Sequence, residues 1–563
     1  MSLCIVPSDT TGEVVLCRPG LSFWGGVDPN TGVVIDAHHP LHGQCLAGKI
    51  VLMPTSRGSC SGSGVLLELA LNGHAPAALV FCETEEVLTL GAKIASRLFD
   101  RHVAVLRLDA AAFDALSGVQ TATISATSVV AEGLSLDLTA LSDAALDLSP
   151  YDQSCLSDAP GDPVSLAMEV ICSIAVAQGA KRLVDVARGH IDGCIYAHEA
   201  NLIFAERMLE LGARTRIPTT INAISVDRKN WQTQGMAPAF GNAASRLADA
   251  YTAMGAQPTF TCAPYLLDDT PQLGEAIGWS ESNAVIYANS VLGARTAKLP
   301  DYLDLFVAMT GRAPETGVYL AQNRRPACII ECDVPATADD SLWPLVGWLA
   351  GQLAPDRVPL LNGLAHLRPQ PDDLRALCAA FGTTSASPLL HVEKITPEAH
   401  LEPLAHATAA TITLNDLANA WTALNSGADT IDLVAIGSPH ASLAEIAAFC
   451  DLMAGHRGHP DTDTIVTVGR DTFQKAETAG YSDRLAASGV KIIPDLCWCS
   501  ITEPVFPARA RNLITNSGKY AHYAPGLSGR NVRFGSLRDC ARAARTGLAP
   551  DMPGWLSGAK LDT

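Results

Sequence analysis

The sequence predicts an α/β protein built from several domains. The chain has 563 residues, which is more than a single hydrophobic core usually serves. Short apolar runs alternate with longer stretches of helical periodicity, and this alternation is typical of parallel or mixed sheets covered by helices. Hydrophobic residues make up 48% of the chain and charged residues 17%. The buried surface is therefore expected to be large.

The first 120 residues are predicted to form one small α/β unit. Its expected strands lie at 12–17, 48–53, 78–82 and 103–108, and its expected helices at 65–72 and 86–99. Residues 121–150 are small, polar and poor in charge, which predicts a linker with room for a short strand.

From residue 151 to residue 563 the strand–helix rhythm resumes and predicts two or three α/β layers. The clearest helical patterns cover 162–179, 197–212 and 243–254, and the apolar runs beside them cover 182–187, 217–224 and 258–262.

The composition excludes several classes of function. A net charge of −19 argues against binding to nucleic acid or to an anionic membrane surface. The N-terminus lacks the pattern of a signal peptide, and no apolar run approaches the ~20 residues of a membrane span. We therefore expect a cytoplasmic protein whose 16 cysteines form no disulfides.

Two cysteine motifs are candidates for a metal site. Cys262 lies in Thr261-Cys262-Ala263-Pro264, and Cys497 and Cys499 form a Cys-x-Cys; each motif ends an apolar run. Soft thiolates that converge in this way can hold an iron–sulfur cluster, whereas the spacing does not fit a zinc ribbon. The alternative interpretation is that these are ordinary buried thiols.

A serine- and glycine-rich segment, residues 56–64, follows one expected strand and opens one expected helix. Its small residues allow backbone N–H groups to converge on an anion, and Arg57 can pair with a carboxylate. The serine hydroxyls are candidates for proton transfer. A flexible surface loop would have the same composition, and no Walker motif is present.

Polar side chains also cluster at the ends of several apolar runs, where α/β proteins commonly bind ligands. Helix capping and loop hydrogen bonding are the alternative explanation for such residues. The candidates include His190, Asn222, Ser282, Asn283, Arg295, the Ser438-Pro439-His440 segment and Lys519.

Taken together, these segments resemble aconitase X, a divergent branch of the aconitase superfamily. The matching strings are FWGGVDP at 23–29, SRGS at 56–59, HIDG at 190–193, TTINAISVD at 219–227, FTCAPYL at 260–266, WSESNAV at 279–285, ANSVLGART at 288–296 and TNSGKYAHY at 515–523. The resemblance implies an N-terminal swivel-type domain, residues 1–120, fused to a catalytic region, residues 151–563.

The fused arrangement resembles the single-chain bacterial type, which implies a hydro-lyase that dehydrates cis-3-hydroxy-L-proline to Δ1-pyrroline-2-carboxylate. The two-subunit archaeal type, a mevalonate 5-phosphate dehydratase, implies the alternative of a phosphorylated hydroxy acid. A non-catalytic iron or redox sensor is a third hypothesis. We expect a monomer that needs no separate small subunit.

The resemblance also implies roles for particular residues. Cluster iron would bind the leaving hydroxyl, and a swivel-domain serine, Ser59 or alternatively Ser61, would take the proton. Arg57 and the amide of Gly58 would stabilise the substrate carboxylate. The other expected substrate contacts are His190, Asn222, Ser225, Ser282, Asn283, Arg295 and Lys519.

The implied metal ligands are Cys262, Cys497 and Cys499. The archaeal type carries a cysteine before its Pro-His pair, and this chain has Ser438 at that position. The resemblance to the single-chain type, which is associated with a [2Fe–2S] centre, implies that cluster rather than [3Fe–4S] or [4Fe–4S], and the reduced set of thiolates is consistent with it.

Overall fold

The computed structural model describes residues 2–36, 38–57, 61–156 and 161–558. The chain divides into two compact units. The first consists of Met1–Thr219, Ala250–Ala256 and Leu299–Thr316, and the second of Thr220–Asp249, Gln257–Lys298 and Gly317–Thr563. The α/β fold class predicted from the sequence is confirmed, because strands and helices alternate through both units.

The N-terminal part of the first unit is a sheet that has nine strands within the described residues, in the order β8-β7-β6-β2-β3-β4-β5-β1-β9. Strands β2 to β5 are parallel neighbours, and one helix each connects β3 to β4 and β4 to β5. The strands are β1 (Leu3–Val6), β2 (Thr10–Leu16), β3 (Ile50–Leu52), β4 (Ala78–Phe81), β5 (Ala104–Arg107), β6 (Thr121–Ile124), β7 (Ser128–Ala131), β8 (Leu134–Asp137) and β9 (Thr139–Ala140); the helices are α1 (Gly62–Leu71), α2 (Val87–Phe99) and α3 (Ala110–Ser117).

The segment expected to be a linker differs from that expectation. Strands β6, β7 and β8 form an antiparallel meander that extends the sheet beside β2. The threonines of β6 are exposed, whereas Ala122 and Ile124 between them are buried. This period of two is that of a half-buried strand, and small residues obscured it in the sequence.

The middle of the chain contributes helices and short strands. They are α4 (Pro150–Leu156), α5 (Pro163–Ala177), β10 (Leu183–Asp185), β11 (Gly189–Ile191), α6 (Glu199–Glu210), β12 (Thr219–Ile221), α7 (Pro238–Ala253), β13 (Gly278–Trp279), α8 (Ser282–Tyr287), α9 (Leu303–Thr310) and β14 (Arg312–Pro314). The apolar run 258–262 does not become a strand, because Phe260 adopts a φ of 42°, which turns the chain into Cys262.

The second unit contains two parallel sheets. The first, β17-β16-β15-β18, has four strands and the second, β21-β20-β19-β22-β23, has five, counted over the described part of the chain. The strands are β15 (Cys328–Cys332), β16 (Pro359–Asn362), β17 (His391–Val392), β18 (Thr408–Ile412), β19 (Leu433–Ile436), β20 (Asp463–Val468), β21 (Val490–Pro494), β22 (Asn512–Thr515) and β23 (Asn531–Phe534).

Eight further helices flank these sheets within the same described ranges. They are α10 (Leu342–Leu353), α11 (Pro371–Thr384), α12 (Leu414–Ala423), α13 (Leu443–Met453), α14 (Arg470–Thr478), α15 (Tyr481–Ala487), α16 (Gly518–Ser528) and α17 (Leu537–Thr546). A hydrophobic core of this unit includes Trp343, Phe381 and Trp498. Over the residues described, no helix is long and apolar enough to cross a membrane.

A buried ion pair in the first unit gives a stability prediction. Arg312 donates to both carboxylate oxygens of Asp152 at 2.6 and 2.9 Å, and Asp152 is 1% exposed. Burial alone would raise the pKa of Asp152, but bonds from Arg312 and Ser149 bring it below its usual value. Arg312→Met leaves this carboxylate unpaired, so we expect a loss of about 3–5 kcal/mol at pH 7 in urea unfolding.

The pH dependence of that loss follows from the lowered pKa. The pair stabilises the fold above the unfolded pKa of aspartate, about 3.9, and this stabilisation disappears as the pH falls through the folded pKa. The Arg312→Met deficit should therefore shrink in acid. Arg182→Met is the matched control, because its Glu315 ion pair lies at the surface and should cost at most about 1 kcal/mol. Equal losses in both variants would contradict the prediction.

Candidate active site

Three cysteine thiols come together in the second unit. Cys262 follows the turn at Phe260, and Cys497 and Cys499 lie in the turn after β21. The Cys497 thiol hydrogen-bonds with the thiols of both Cys262 and Cys499. Cys262 and Cys497 are buried against Ala223, and Cys499 packs on them while partly exposed. All three are free cysteines. We call this group the thiol cluster.

The thiol cluster favours one thiolate. Hydrogen bonds from Cys262 and Cys499 lower the pKa of Cys497 well below that of an ordinary thiol. Burial raises the pKa of Cys262, and the bond to Cys497 raises the pKa of Cys499. Cys497 is therefore the group most readily deprotonated, and a thiolate is the form that binds metal.

His440 ties the two cysteine segments together. Its backbone N–H donates to Cys262 Sγ at 3.2 Å, and its Nε2 lies 2.6 Å from the carbonyl oxygen of Leu496. Since a carbonyl only accepts, Nε2 carries the proton and Nδ1, 3.2 Å away from Thr261 Oγ1, accepts. Burial lowers the pKa of His440, which keeps the ring neutral. Arg375 in turn donates to the His440 carbonyl at 2.6 Å.

A buried ion pair lies beside the thiols. Lys519, on the first turn of α16, donates to Glu281 Oε1 at 2.7 Å, and the two side chains are 10% and 12% exposed. Asn283 donates to the same carboxylate oxygen at 2.5 Å, and Asn222 donates to the other at 3.4 Å. Asn283 also donates to the Cys262 carbonyl at 3.1 Å, so the amide joins the ion pair to the thiol cluster.

Both members of this ion pair are charged at neutral pH. Burial alone would lower the pKa of Lys519, but Glu281 and the three thiols together raise it well above its ordinary value. Burial alone would raise the pKa of Glu281, and Lys519 lowers it. The result is a fixed ammonium within electrostatic range of the thiol cluster.

The remaining predicted residues of the second unit lie in different settings. Ser282 is the first residue of α8 and is partly buried, and Ser225 is almost fully buried. Arg295 donates to the carbonyl of Tyr319 at 3.1 Å. Asn222, Asn283 and Lys519 are thus the predicted substrate residues that the structure brings together around Glu281.

Other predicted residues belong to the first unit. Arg57 is exposed, and its side chain passes close to Gly20. Gly20 has a φ of 70° and close neighbours, so a residue with a side chain would not fit at position 20. Ser61 occupies the N-cap position of α1, and His190 is fully buried in β11. Gly58 and Ser59 lie outside the described residues, and their roles stay predictions.

Sequence reasoning missed two residues of the site, Glu281 and His440. Glu281 is the acidic residue of the segment Trp279-Ser280-Glu281-Ser282-Asn283 that otherwise supplied candidates. His440 belongs to the candidate segment Ser438-Pro439-His440, but the sequence gives it no particular role. The signal that could have found Glu281 and His440 is that each is a titratable residue within a polar segment. The sequence does not indicate which residues they bond to.

The three thiols and their surroundings suit an iron–sulfur cluster better than a single metal ion. Over the described ranges, no three His, Cys, Asp or Glu side chains form a group able to hold a metal ion. The thiols are instead linked in a row with Cys497 in the middle, and an iron–sulfur cluster is bound by thiolates that reach different irons. Buried soft donors, an N–H···S bond and a nearby ammonium fit such a cluster.

The fold and this cysteine site define an aconitase-type protein. Four family models match successive parts of the chain: the aconitase X swivel domain at 2–132, first domain at 145–322, second domain at 326–422 and third domain at 431–546. The chain belongs to the aconitase X family.

Particular relatives cover nearly the whole length. The chain is 45% identical over 573 residues to a cis-3-hydroxy-L-proline dehydratase of Pseudomonas aeruginosa, covering 98% of each chain. It is 42% identical over 580 residues to an enzyme of the same name from Hypocrea jecorina, covering 98% of this chain and 96% of the relative. These relatives are hydro-lyases, and this chain is an enzyme of that class.

More distant similarities cover part of the chain. A phosphomevalonate dehydratase large subunit of Methanothermobacter thermautotrophicus is 32% identical over 377 residues, which is 66% of this chain and 92% of the relative. The solved structure of Thermococcus kodakaraensis aconitase X, in its holo-form, has a TM-score of 0.64 and 28% identity, covering 70% of this chain and 99% of that one.

Proposed function

We propose that the enzyme dehydrates cis-3-hydroxy-L-proline to Δ1-pyrroline-2-carboxylate. The observation that carries this proposal is 45% identity, over 98% of both chains, to a dehydratase of that substrate. The reaction removes the proton at C2 and the hydroxyl at C3 as water, and the resulting enamine shifts a proton to give the cyclic imine. It therefore needs a base for the proton and a group that makes hydroxide able to leave.

We propose that Cys262, Cys497 and Cys499 hold an iron–sulfur cluster of the [2Fe–2S] type, in preference to [3Fe–4S] or [4Fe–4S]. The three buried thiols supply the soft donors that such a cluster takes, and the preference for [2Fe–2S] follows from the resemblance to the single-chain type of the family. When bound, such a cluster supplies a Lewis-acid iron for the leaving hydroxyl.

The residues of the chain would perform the other tasks. The Lys519 ammonium, fixed by Glu281, would attract the substrate carboxylate and stabilise the negative charge that develops when C2 loses its proton. Asn222 and Asn283 would keep that ion pair oriented. Proposed further substrate contacts are Arg57, Gly58, His190, Ser225, Ser282 and Arg295.

A phosphorylated hydroxy acid is the alternative substrate class, favoured by the similarity to the phosphomevalonate dehydratase large subunit. Its extra charge would need cations that are not already neutralised. In the second unit, Arg228 and Arg375 each pair with a carboxylate, which favours hydroxyproline, because it carries a single carboxylate and no phosphate. Turnover on a panel of both substrates decides between them, and a redox sensor would turn over neither.

We also propose that one chain suffices, as a monomer without a separate small subunit.

We assign proton abstraction to Ser59 acting as its alkoxide, which becomes a hydroxyl on taking the proton, with Ser61 as the second candidate. A general base contributes roughly 10²–10⁴-fold to rate, so Ser59→Ala should lower kcat by about 10³-fold while the cluster spectrum stays unchanged. Ser61→Ala is the matched control with the same substitution two residues away, and it should lower kcat less than tenfold. Hydrogen–deuterium exchange at C2 of the substrate should fall together with kcat.

A full rate in Ser59→Ala together with a large loss in Ser61→Ala would move the base to Ser61. If both single variants and the double variant dehydrate at the original rate, neither serine is the base. If no variant and no wild-type preparation dehydrates hydroxyproline, the proposed substrate itself is wrong.

A further inference from the structure

The hydroxyl of Ser438 is buried but makes no hydrogen bond to the described residues. Ser438 follows β19 and is 5% exposed, and its Oγ has no hydrogen-bond partner within the described part of the chain. A buried hydroxyl in that state costs about 1–3 kcal/mol. In native proteins such groups are completed by a bound ion, a water or a catalytic role.

Ser438 lies between two backbone groups that are both bonded to residues of the cysteine motifs. The indole of Trp498, the residue between Cys497 and Cys499, donates to the carbonyl of Ile436 at 2.7 Å. Two residues after Ser438, the N–H of His440 donates to Cys262 Sγ at 3.2 Å. Ser438 thus lies in the middle of a short segment whose backbone bonds to Trp498, between two of the cysteines, and to the thiol of Cys262.

The backbone around Ser438 is fixed by other bonds. Thr467 donates its hydroxyl to the carbonyl of Gly437 at 2.7 Å, and Ser517 donates its hydroxyl to the carbonyl of Ser438. Gly437 has a φ of 96°, and a Cβ on it would lie 2.2 Å from a carbonyl oxygen of Thr467. The turn is therefore rigid, and its backbone acceptors already have donors, which leaves the Ser438 hydroxyl as the group without an assigned task.

We propose that Ser438 Oγ is an oxygen ligand to the metal group held by the thiol cluster. This inference rests on the proposed cofactor and deepens it. Three sulfur donors and one oxygen donor would complete the four ligand positions of a two-iron cluster. Binding as an alkoxide forms one iron–oxygen bond, breaks the O–H bond and releases one proton to solvent, with no change in electron count. For a substrate hydroxyl to take this position, the Ser438 oxygen would regain one proton from solvent as its bond to iron breaks, so that charge and protons balance.

The test uses the full-length protein reconstituted anaerobically with ⁵⁷Fe and sulfide, as wild type, Ser438→Ala and Ser438→Cys. An oxygen ligand is harder than a thiolate and favours ferric iron. We therefore expect two distinct iron sites by Mössbauer spectroscopy in the wild type, and two similar sites with a higher midpoint potential in Ser438→Cys. Ser438→Ala should lose iron to a chelator about tenfold faster.

Ser482→Ala is the matched control, since its hydroxyl is also buried without a partner among the described residues but lies on α15, outside the thiol cluster. It should leave the Mössbauer spectrum, potential and chelation rate unchanged. If Ser438→Ala and Ser438→Cys also match the wild type in all three, Ser438 is not a ligand. Wild-type protein that retains neither iron nor sulfide would instead overturn the proposed cofactor.

Discussion

Cys497→Ala is expected to abolish both cluster binding and dehydration. Cys497 is the middle thiol of the row, and its loss removes the thiolate that hydrogen bonds from Cys262 and Cys499 favour. Metal binding to cysteine requires the thiolate, so the first iron–sulfur bond loses its best donor. Iron and sulfide per chain should fall to background after anaerobic reconstitution. The visible charge-transfer absorbance should disappear, and turnover should fall by at least about 10³-fold.

Cys378→Ala is the control for this experiment. Cys378 is a buried free cysteine of the same unit, it lies on α11, and burial raises the pKa of its thiol. We expect this variant to keep the cluster and lose only stability. Cys262→Ala and Cys499→Ala should show intermediate or complete loss of iron. A Cys497→Ala protein that keeps full iron, sulfide and absorbance would remove Cys497 from the ligand set.

The sequence predicted the cysteines of the site better than it predicted their surroundings. The sequence singles out Cys262, Cys497 and Cys499 because their thiols follow apolar runs, and the resemblance to aconitase X joins them into one set. Their supports could not be identified that way, since the bonds join distant parts of the chain. His440 reaches Cys262 across 178 positions, and Lys519 reaches Glu281 across 238 positions. Such pairs depend on how the sheets of the unit pack.

The fold shows the same limit at the level of single elements. Helices α5 and α6 were anticipated because their helical period extends over many residues. The apolar run 258–262 failed as a strand because one residue, Phe260, adopts a positive φ. Residues 121–137, predicted as a linker with room for a short strand, form three strands, because buried residues as small as Ala122 hide the period of two. Local backbone conformation and residue size decided these cases, and neither follows from hydrophobic periodicity.

Lys519→Met is expected to lower turnover by about 10³-fold through loss of the ammonium beside the thiol cluster. It also leaves Glu281 buried without its cation, which should cost about 3–5 kcal/mol in urea unfolding. Activity and stability therefore fall together in the single variant, and a loss of activity alone cannot distinguish a catalytic charge from a structural ion pair.

The double variant Lys519→Met/Glu281→Gln separates the two roles. It removes both charges, so most of the lost stability should return, because a neutral pair of similar size carries little desolvation penalty. If the ammonium acts on the substrate, kcat stays low in the refolded double variant while the cluster absorbance is normal. If the ion pair is structural, kcat recovers in parallel with stability. We expect the double variant to regain stability but not turnover. Lys519 lies within electrostatic range of all three thiols, and the substitution Glu281→Gln does not restore the ammonium that Lys519→Met removes.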